Sequence, residues 1–322
     1  MELVHSVEDL KKHHSGSICL ALGNFDGVHA GHREILRKTV ALAAEKGLKS
    51  AALIFIPHPQ SVLFPNRPPD LLQPVEDRIK MLGETGIDYV IRHPFTREFA
   101  AITPQQFVSE IICGKIAASC VVVGFNYTFG RYGSGTAADL KRYGKLLGFD
   151  LHIIDPVIVG GRVVGSSAIR ELLAEGKVEE ASLLLERPFY LRGTVVHGDG
   201  RGRRLGFPTA NLKVSKEIML PSNGVYLTKA SSGSLKAWSL TNIGVRPTFG
   251  KKERSIEVYL FDLERDLYNK ELKVCFITKI RNEMAFPDSR ALACRIKKDI
   301  ATAKSIIKNA APAKKQNLTF SC

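Results

Sequence analysis

The segment GNFDGVHAGH, residues 23–32, ends a short apolar run and sets two imidazoles, His29 and His32, three residues apart where a helical pattern begins. Glycines at a strand end let the backbone approach a ligand closely. The first turn of the following helix offers unpaired N–H groups and a positive dipole end to phosphate. Imidazoles aimed at the same place add donors for the charge that develops in phosphoryl or nucleotidyl transfer. A single histidine here would read as a helix cap, whereas the H-x-G-H pair in a strand-to-helix context reads as a phosphate site. A second segment, GDGRGRRLGFPTAN at residues 198–211, is a Gly/Arg loop whose N–H groups and guanidiniums suit phosphate as well. Glu257 lies in SIEVYLF, where strand alternation puts it on one face with Ser255, Tyr259 and Phe261, opposite Ile256, Val258 and Leu260. A carboxylate beside a bound hydroxyl acts as a general base, although spacing alone fits a solvent-facing carboxylate equally well.

The elements that must position these groups fall into two kinds. SICLAL, SAALIFI, DYVIR, SCVVVGF and DLHIID read as strands. They alternate with helical patterns at HREILRKTVALAAEKG, PVEDRIKMLGETG, TPQQFVSEIICGK and TAADLKRYGKLLG. This rhythm predicts a Rossmann-like α/β domain, a parallel sheet with helices on both faces and ligands at the carboxyl ends of its strands. GNFDGVHAGH, IPHP and GFNYTFG all lie at such ends. Two short helical patterns, SSAIRELLAEGK and VEEASLLLERP, close the first half. Beyond it, FYLRGTVVHG, GVYLTKAS, LKAWSLTNIG, SIEVYLFDL and ELKVCFITKI alternate with period two, as in a small antiparallel β-barrel. DSRALACRIKKDIATAKSIIKN then predicts an amphipathic helix with Leu292, Ile296, Ile300 and Ala303 on one face. The boundaries expected are 1–186, 187–308 and a basic tail at 309–322.

Charge divides the chain in the same way. Of its 322 residues, 46 are Lys or Arg and 32 are Asp or Glu, a net charge of +14. Residues 1–186 hold 20 of the cations and 21 of the anions, so the remainder carries +15. A basic half suggests phosphate-bearing partners, and part of the excess lies in a lysine-bearing tail. No apolar run approaches the ~20 residues of a membrane helix, and the N-terminus lacks the layout of a secretory signal. A cytoplasmic protein without a membrane partner is expected. The six cysteines form no C-x-x-C pair or zinc spacing and are expected to be free thiols.

GNFDGVHAGH resembles the nucleotide-binding signature of the nucleotidylyltransferase superfamily, and GSSAIR, residues 165–170, resembles its second signature. HGDGRGRRLGFPTANL, NGVYL, NIGVRPTFG and IEVYLFDLERDLYNKELKV resemble a riboflavin kinase module. Together, over about residues 16–308, they resemble the bacterial bifunctional riboflavin kinase/FAD synthetase family. That resemblance implies phosphorylation of riboflavin to FMN and adenylylation of FMN to FAD, with ATP and Mg²⁺. It implies that His29 and His32 contact ATP phosphates from a turn made of Gly23, Asn24, Phe25, Asp26 and Gly27. His58 is then near the FMN phosphate, Asn126 near phosphates and metal, and Ser166, Ser167 and Arg170 on the triphosphate. In the kinase half, Gly198, Gly206 and Pro208 belong to the nucleotide loop, Thr209 and Asn211 are metal ligands, Glu257 deprotonates the ribityl 5′-hydroxyl, and Arg281, Met284 and Phe286 form part of a flavin-side lid. Phe125, Gly165, Ala168, Ile56, Tyr259 and Asn269 depart from the family pattern. A second reading therefore keeps the kinase and weakens or repurposes the adenylyltransferase. A third, a nucleic-acid binder, finds arginines in a glycine loop rather than along a helix face and no base-stacking array, so nucleic acid is not an expected partner. A homo-oligomer that passes FMN between sites is left open.

Overall fold

The computed structural model describes residues 1–248, 251–263 and 265–313. Phe249 and Gly250 of the NIGVRPTFG motif and most of the expected basic tail lie outside them. The chain divides into two compact units, Met1–Ser166 and a second from Ser167 onward.

In the first unit β1 (Glu2–Val4), β2 (Ile18–Leu22), β3 (Lys49–Ile56), β4 (Tyr89–Pro94), β5 (Ala118–Gly124) and β6 (Asp150–Ile154) form one sheet. Its order is β1-β4-β3-β2-β5-β6, and every pair is parallel. The central strand β2 is buried at all five positions, as a strand covered on both faces must be. Leu20, Leu22, Leu53, Val121 and Val123 pack into one apolar cluster, and Cys19, Ala21, Ile54, Cys120 and Val122 into another. The chain runs outward from β2 through β3 to β4 and then returns to β5 on the other side of β2. The order thus reverses between β2 and β5, which opens a ligand crevice at their carboxyl ends.

Helices α1 (Ala30–Lys46), α2 (Val75–Gly83) and α3 (Ala137–Leu147) fall where the periodicity places them. Gly47 and Gly148 stop α1 and α3 in the left-handed conformation, φ 66° and 81°. TPQQFVSEIICGK departs from the expected α-helix. After a capping box between Thr103 and Gln106, residues Phe107–Lys115 wind as a π-helix. Its buried residues Phe107, Val108, Ile111 and Ile112 keep one face on the core.

In the second unit α4 (Ser166–Glu175) and α5 (Val178–Leu185) lead into a closed antiparallel barrel. The two helices, which the sequence groups with the first half, bond within this unit. Ser222 donates its N–H to the Leu173 carbonyl at 2.9 Å, and the Thr278 hydroxyl donates to the Glu179 carboxylate. The barrel strands are β7 (Tyr190–Val196), β8 (Ala210–Lys213), β9 (Gly224–Ser232), β10 (Leu235–Thr248), β11 (Lys251–Leu260) and β12 (Glu271–Asn282). They close in the order β7-β8-β11-β10-β9-β12, which leaves no unpaired edge. Five of the six were expected. The sixth, β8, is hidden in GFPTANL, where the loop motif obscures a four-residue strand. Helix α6 (Ser289–Ala313) follows, with Ile300 and Ala303 packed on Val225, Leu227 and Leu240. Cys19, Cys113, Cys120 and Cys294 are free thiols, whereas Cys275 is disulfide-bonded, against the expectation that all six are free.

Candidate functional site

The turn after β2 is held under strain. Phe25 and Val28 adopt left-handed backbone at φ 52° and 39°, and Gly27 lies between them at φ 89°. Each non-glycine residue there costs about 1–3 kcal/mol, while complete burial of the two side chains returns about 1.5–3 kcal/mol apiece. Phe25 and Asp26 point inward. The Asp26 carboxylate accepts the Leu72 N–H at 3.0 and 3.2 Å, and its carbonyl accepts the Ser166 hydroxyl at 2.8 Å. Gly23 and Asn24, before Phe25 and Asp26 in the turn, are half-buried.

His29 is the N-cap of α1, and its Nδ1 accepts the His32 N–H at 3.2 Å. That bond places the proton of a neutral His29 on Nε2. The two rings stack 3.6 Å apart, and Phe25 meets His32 edge-on at 5.2 Å. Burial, then the like charges of His29 and Arg78, push the His32 imidazole well below the usual histidine range. A neutral His32 follows at physiological pH. Its Nδ1 is buried and has no hydrogen-bond partner among the described residues. The other candidates of this unit stand at neighbouring strand ends. His58, after β3, accepts the Gln60 N–H at 3.3 Å and caps a short helix. Asn126, after β5, is exposed, and its Oδ1 lies 3.6 Å from where a Cβ on Gly124 would sit. Ser166 begins α4, and Ser167, directly after it, and Arg170, one turn on, fall in the second unit.

Arg78 is a residue that sequence reading missed. It is fully buried on α2, and its Nη1 donates to the Asn24 carbonyl at 2.9 Å. In VEDRIKML it resembles a surface cation. The available signal was its place one turn before Met81 and Leu82, on the buried face of α2.

The barrel carries a second site. In register, Glu257 on β11 is opposite Asn211 on β8 and Asn242 on β10, so the three side chains share one face. Ile256, Val258 and Leu260 are buried on the other face, as the alternation requires. Glu257, Thr209, Asn211, Asn242, Arg281 and Phe286 line a cavity of about 450 Å³. The Gly/Arg loop, which holds a short helix at Arg201–Arg204, closes over Thr209 and Asn211. A Cβ on Gly198 would collide with the Asn211 amide, and one on Gly202 would lie 3.0 Å from Thr209 Oγ1. Gly206 turns the loop at φ 83° and leads through exposed Pro208 to Thr209. The neutral oxygens of Thr209 and Asn211, with glycine backbone pressed against them, fit a hard cation that takes its other ligands from phosphate.

Arg281 donates from Nε to Asp299 Oδ2 at 2.8 Å and lies 5.7 Å over the Phe286 ring. Asp299 accepts from Arg295 as well, at 3.0 Å, and is 2% exposed. Sequence reading missed it too, although it falls among Ile296, Ile300 and Ala303 on the apolar face of α6. Glu283 straps the same rim by accepting the Val245 N–H at 3.1 Å and the Asn223 amide at 2.8 Å. From the Asn211 contact, Gly198→Ala is expected to displace the Asn211 amide and lower riboflavin phosphorylation about 10-fold or more. Conversion of added FMN to FAD should be unchanged, and steady-state rates of the two steps measured on one sample check this.

Two family models match the chain, FAD synthetase over residues 11–168 and riboflavin kinase over residues 185–307. The bifunctional riboflavin kinase/FMN adenylyltransferase of Bacillus subtilis is 35% identical over 309 residues, 93% of this chain and 95% of that protein. Its namesake in Escherichia coli K12 is 33% identical over 314 residues, 97% of this chain and 100% of that protein. A crystal structure titled macrolide-efflux protein, from Streptococcus pneumoniae, superposes with a TM-score of 0.83 at 30% identity, covering 94% of this chain and 98% of that one. No helix among the described residues here is long and apolar enough to cross a membrane. With both models matched in order and such relatives aligned nearly end to end, the chain belongs to the bifunctional riboflavin kinase/FMN adenylyltransferase family.

Proposed function

We propose that the chain phosphorylates riboflavin to FMN with ATP and then transfers the AMP moiety of a second ATP to FMN, releasing pyrophosphate and forming FAD. The observation that carries this reading is the presence, in one chain, of a stacked histidine pair at the switch point of a parallel sheet and a carboxylate register-paired with Asn211 in a barrel cavity. In the barrel, Glu257 accepts the proton of the ribityl 5′-hydroxyl as its oxygen attacks the γ-phosphorus and ADP departs. The Gly198–Gly206 loop and Pro208 shape the nucleotide pocket, and Thr209 and Asn211 would hold Mg²⁺. When bound, the ion neutralises phosphate charge. Arg281 and Phe286 face the flavin. In the first domain an FMN phosphate oxygen attacks the α-phosphorus of ATP. No protein nucleophile is needed, so the work is positioning and charge stabilisation. His29 and His32 donate to the ATP phosphates, His58 serves the FMN phosphate, Asn126 serves the phosphates and would serve a metal bound with them, and Ser166, Ser167 and Arg170 take the triphosphate.

The functional division we propose is adenylyltransferase in 1–186, kinase in 187–308 and a basic tail in 309–322. The positive charge of the second half is read as serving nucleotide phosphates rather than nucleic acid, and the protein as a cytoplasmic enzyme whose FMN leaves one site to rebind at the other. Matches to both family models leave the reading of a repurposed first domain without support. The test is a time course of purified protein with riboflavin, ATP and Mg²⁺, flavins being separated by chromatography. FMN should rise and give way to FAD. FMN that accumulates without FAD, even when FMN is added, would leave only the kinase.

A further inference from the structure

Arg78 has the features of a group kept for function rather than stability. A buried guanidinium is costly unless its donors are paired. Here only Nη1 has a hydrogen-bond partner, the Asn24 carbonyl at 2.9 Å, while Nε and Nη2 are buried and donate to nothing among the described residues. Burial holds the Arg78 guanidinium below its usual range, against the opposing charges of Asp26 and Glu76. The carbonyl it holds belongs to the strained turn, one residue before Phe25 in its left-handed conformation. Its charge bears on His32, whose buried Nδ1 is likewise unpartnered. Three buried nitrogens, two on Arg78 of α2 and one on His32 of α1, thus lack a hydrogen-bond partner among the described residues.

We infer that Arg78 is a positioning residue for nucleotidyl transfer: a buried cation that clamps the Asn24–Val28 turn through the Asn24 carbonyl and presents its charge to the stacked His29–His32 pair. This rests on the reading of the first domain as an adenylyltransferase. Two consequences follow. The clamp fixes the turn's backbone, so its loss loosens the ATP phosphates that the turn cradles. The charge disfavours an imidazolium at His32, so its loss lets that ring protonate at higher pH. Burial is the larger cause of the neutral state, and His29 is the other charge that bears on the ring. Removal of Arg78 is therefore expected to shift the titration partway toward the ordinary value near 6.5.

The test compares wild type, Arg78→Met and Arg78→Lys, all full length. Three readouts are taken: the pH profile of FAD formation from added FMN, the imidazole titration of His32 by NMR, and riboflavin phosphorylation as the folded control. Arg78→Met should raise KM for ATP, lower FAD formation by about 10-fold or more, and move both the acid limb and the His32 titration to higher pH. Phosphorylation of riboflavin should be unchanged. Arg78→Lys, which keeps the charge without the fork, should return the acid limb and titration toward wild type while the KM defect persists. A folded Arg78→Met protein with the wild-type profile and titration would overturn the inference and leave Arg78 a packing residue. Should Arg78→Met fail to fold, a folded Arg78→Lys with wild-type KM for ATP would overturn it equally. If wild type itself forms no FAD, the adenylyltransferase reading fails, and the His32 titration still decides what Arg78 does.

Discussion

His29→Ala combined with His32→Ala is expected to abolish FAD formation and leave riboflavin phosphorylation at its wild-type rate. Loss of one preorganised donor to developing charge costs about 10²–10³-fold, and the pair should cost at least the upper end of that range. The fold should survive. Its cap lost, α1 weakens by about 0.5–2 kcal/mol, against a typical domain stability of 5–15 kcal/mol. His29→Asn separates the two roles, because its amide oxygen can still cap the His32 N–H while the imidazole is gone. If it restores thermal stability without restoring FAD formation, the imidazole acts on the substrate and not merely on the helix. The pH dependence has a definite sign. Burial and two neighbouring positive groups depress the His32 titration, so the neutral ring dominates from well below pH 6.5 upward, and an acid limb due to His32 falls only below that value. An acid limb centred at or above pH 6.5, tracking His32 in NMR, would contradict the neutral-donor role. The flavins formed from riboflavin and from added FMN, measured on the same preparation, give both activities at once.

The parts of this molecule legible in its sequence are those governed by local periodicity. The strands β2 through β6 fall where apolar runs place them, most plainly β2, which is covered on both faces and has no polar position to confuse the pattern. The α1 stop was legible for a similar reason, since Gly47 takes a conformation that glycine adopts without penalty. Long-range pairing was less accessible. Alternation separates Glu257 from Ile256, but only barrel register sets it opposite both Asn211 and Asn242, and no local signal carries register. The same holds for charges that fold inward. Arg78 and Asp299 each occupy a core position on an amphipathic helix, where the expectation for a charged residue is solvent. Each is buried against a specific partner far along the chain, Arg78 against the Asn24 carbonyl and Asp299 against Arg281. A charged residue in phase with an apolar stripe was the available clue. The π-helix at Phe107–Lys115 shows the opposite failure, in which a correct helical segment buries residues at i, i+1, i+4 and i+5, a spacing that an α-helix would share and that gives no sign of the wider turn.

Glu257→Gln is expected to stop FMN formation while added FMN is still adenylylated. The substitution keeps the size and planar shape of the side chain, and Glu257 lies on the cavity face between Asn211 and Asn242, so packing of Ile256 and Val258 on the other face is undisturbed. What changes is the ability to accept a proton, and general-base catalysis is worth about 10²–10⁴-fold. The effect should appear in kcat. KM for riboflavin should move little, because the amide can still hydrogen-bond to the 5′-hydroxyl. Glu257→Ala should lower the rate at least as far and lose that contact as well, raising KM. The contrast between the two variants identifies the role. If the carboxylate only shaped the cavity, Gln would preserve activity and Ala would remove it. If it served as a metal ligand, the Gln variant would recover at high Mg²⁺, since the amide oxygen remains a donor of reduced charge. A kcat loss common to both variants and insensitive to Mg²⁺, with FAD formation from FMN intact, leaves proton acceptance as the property removed. It also places the two reactions at separate sites, because the histidine pair and Glu257 then fail independently: one set of variants accumulates FMN, and the other never makes it.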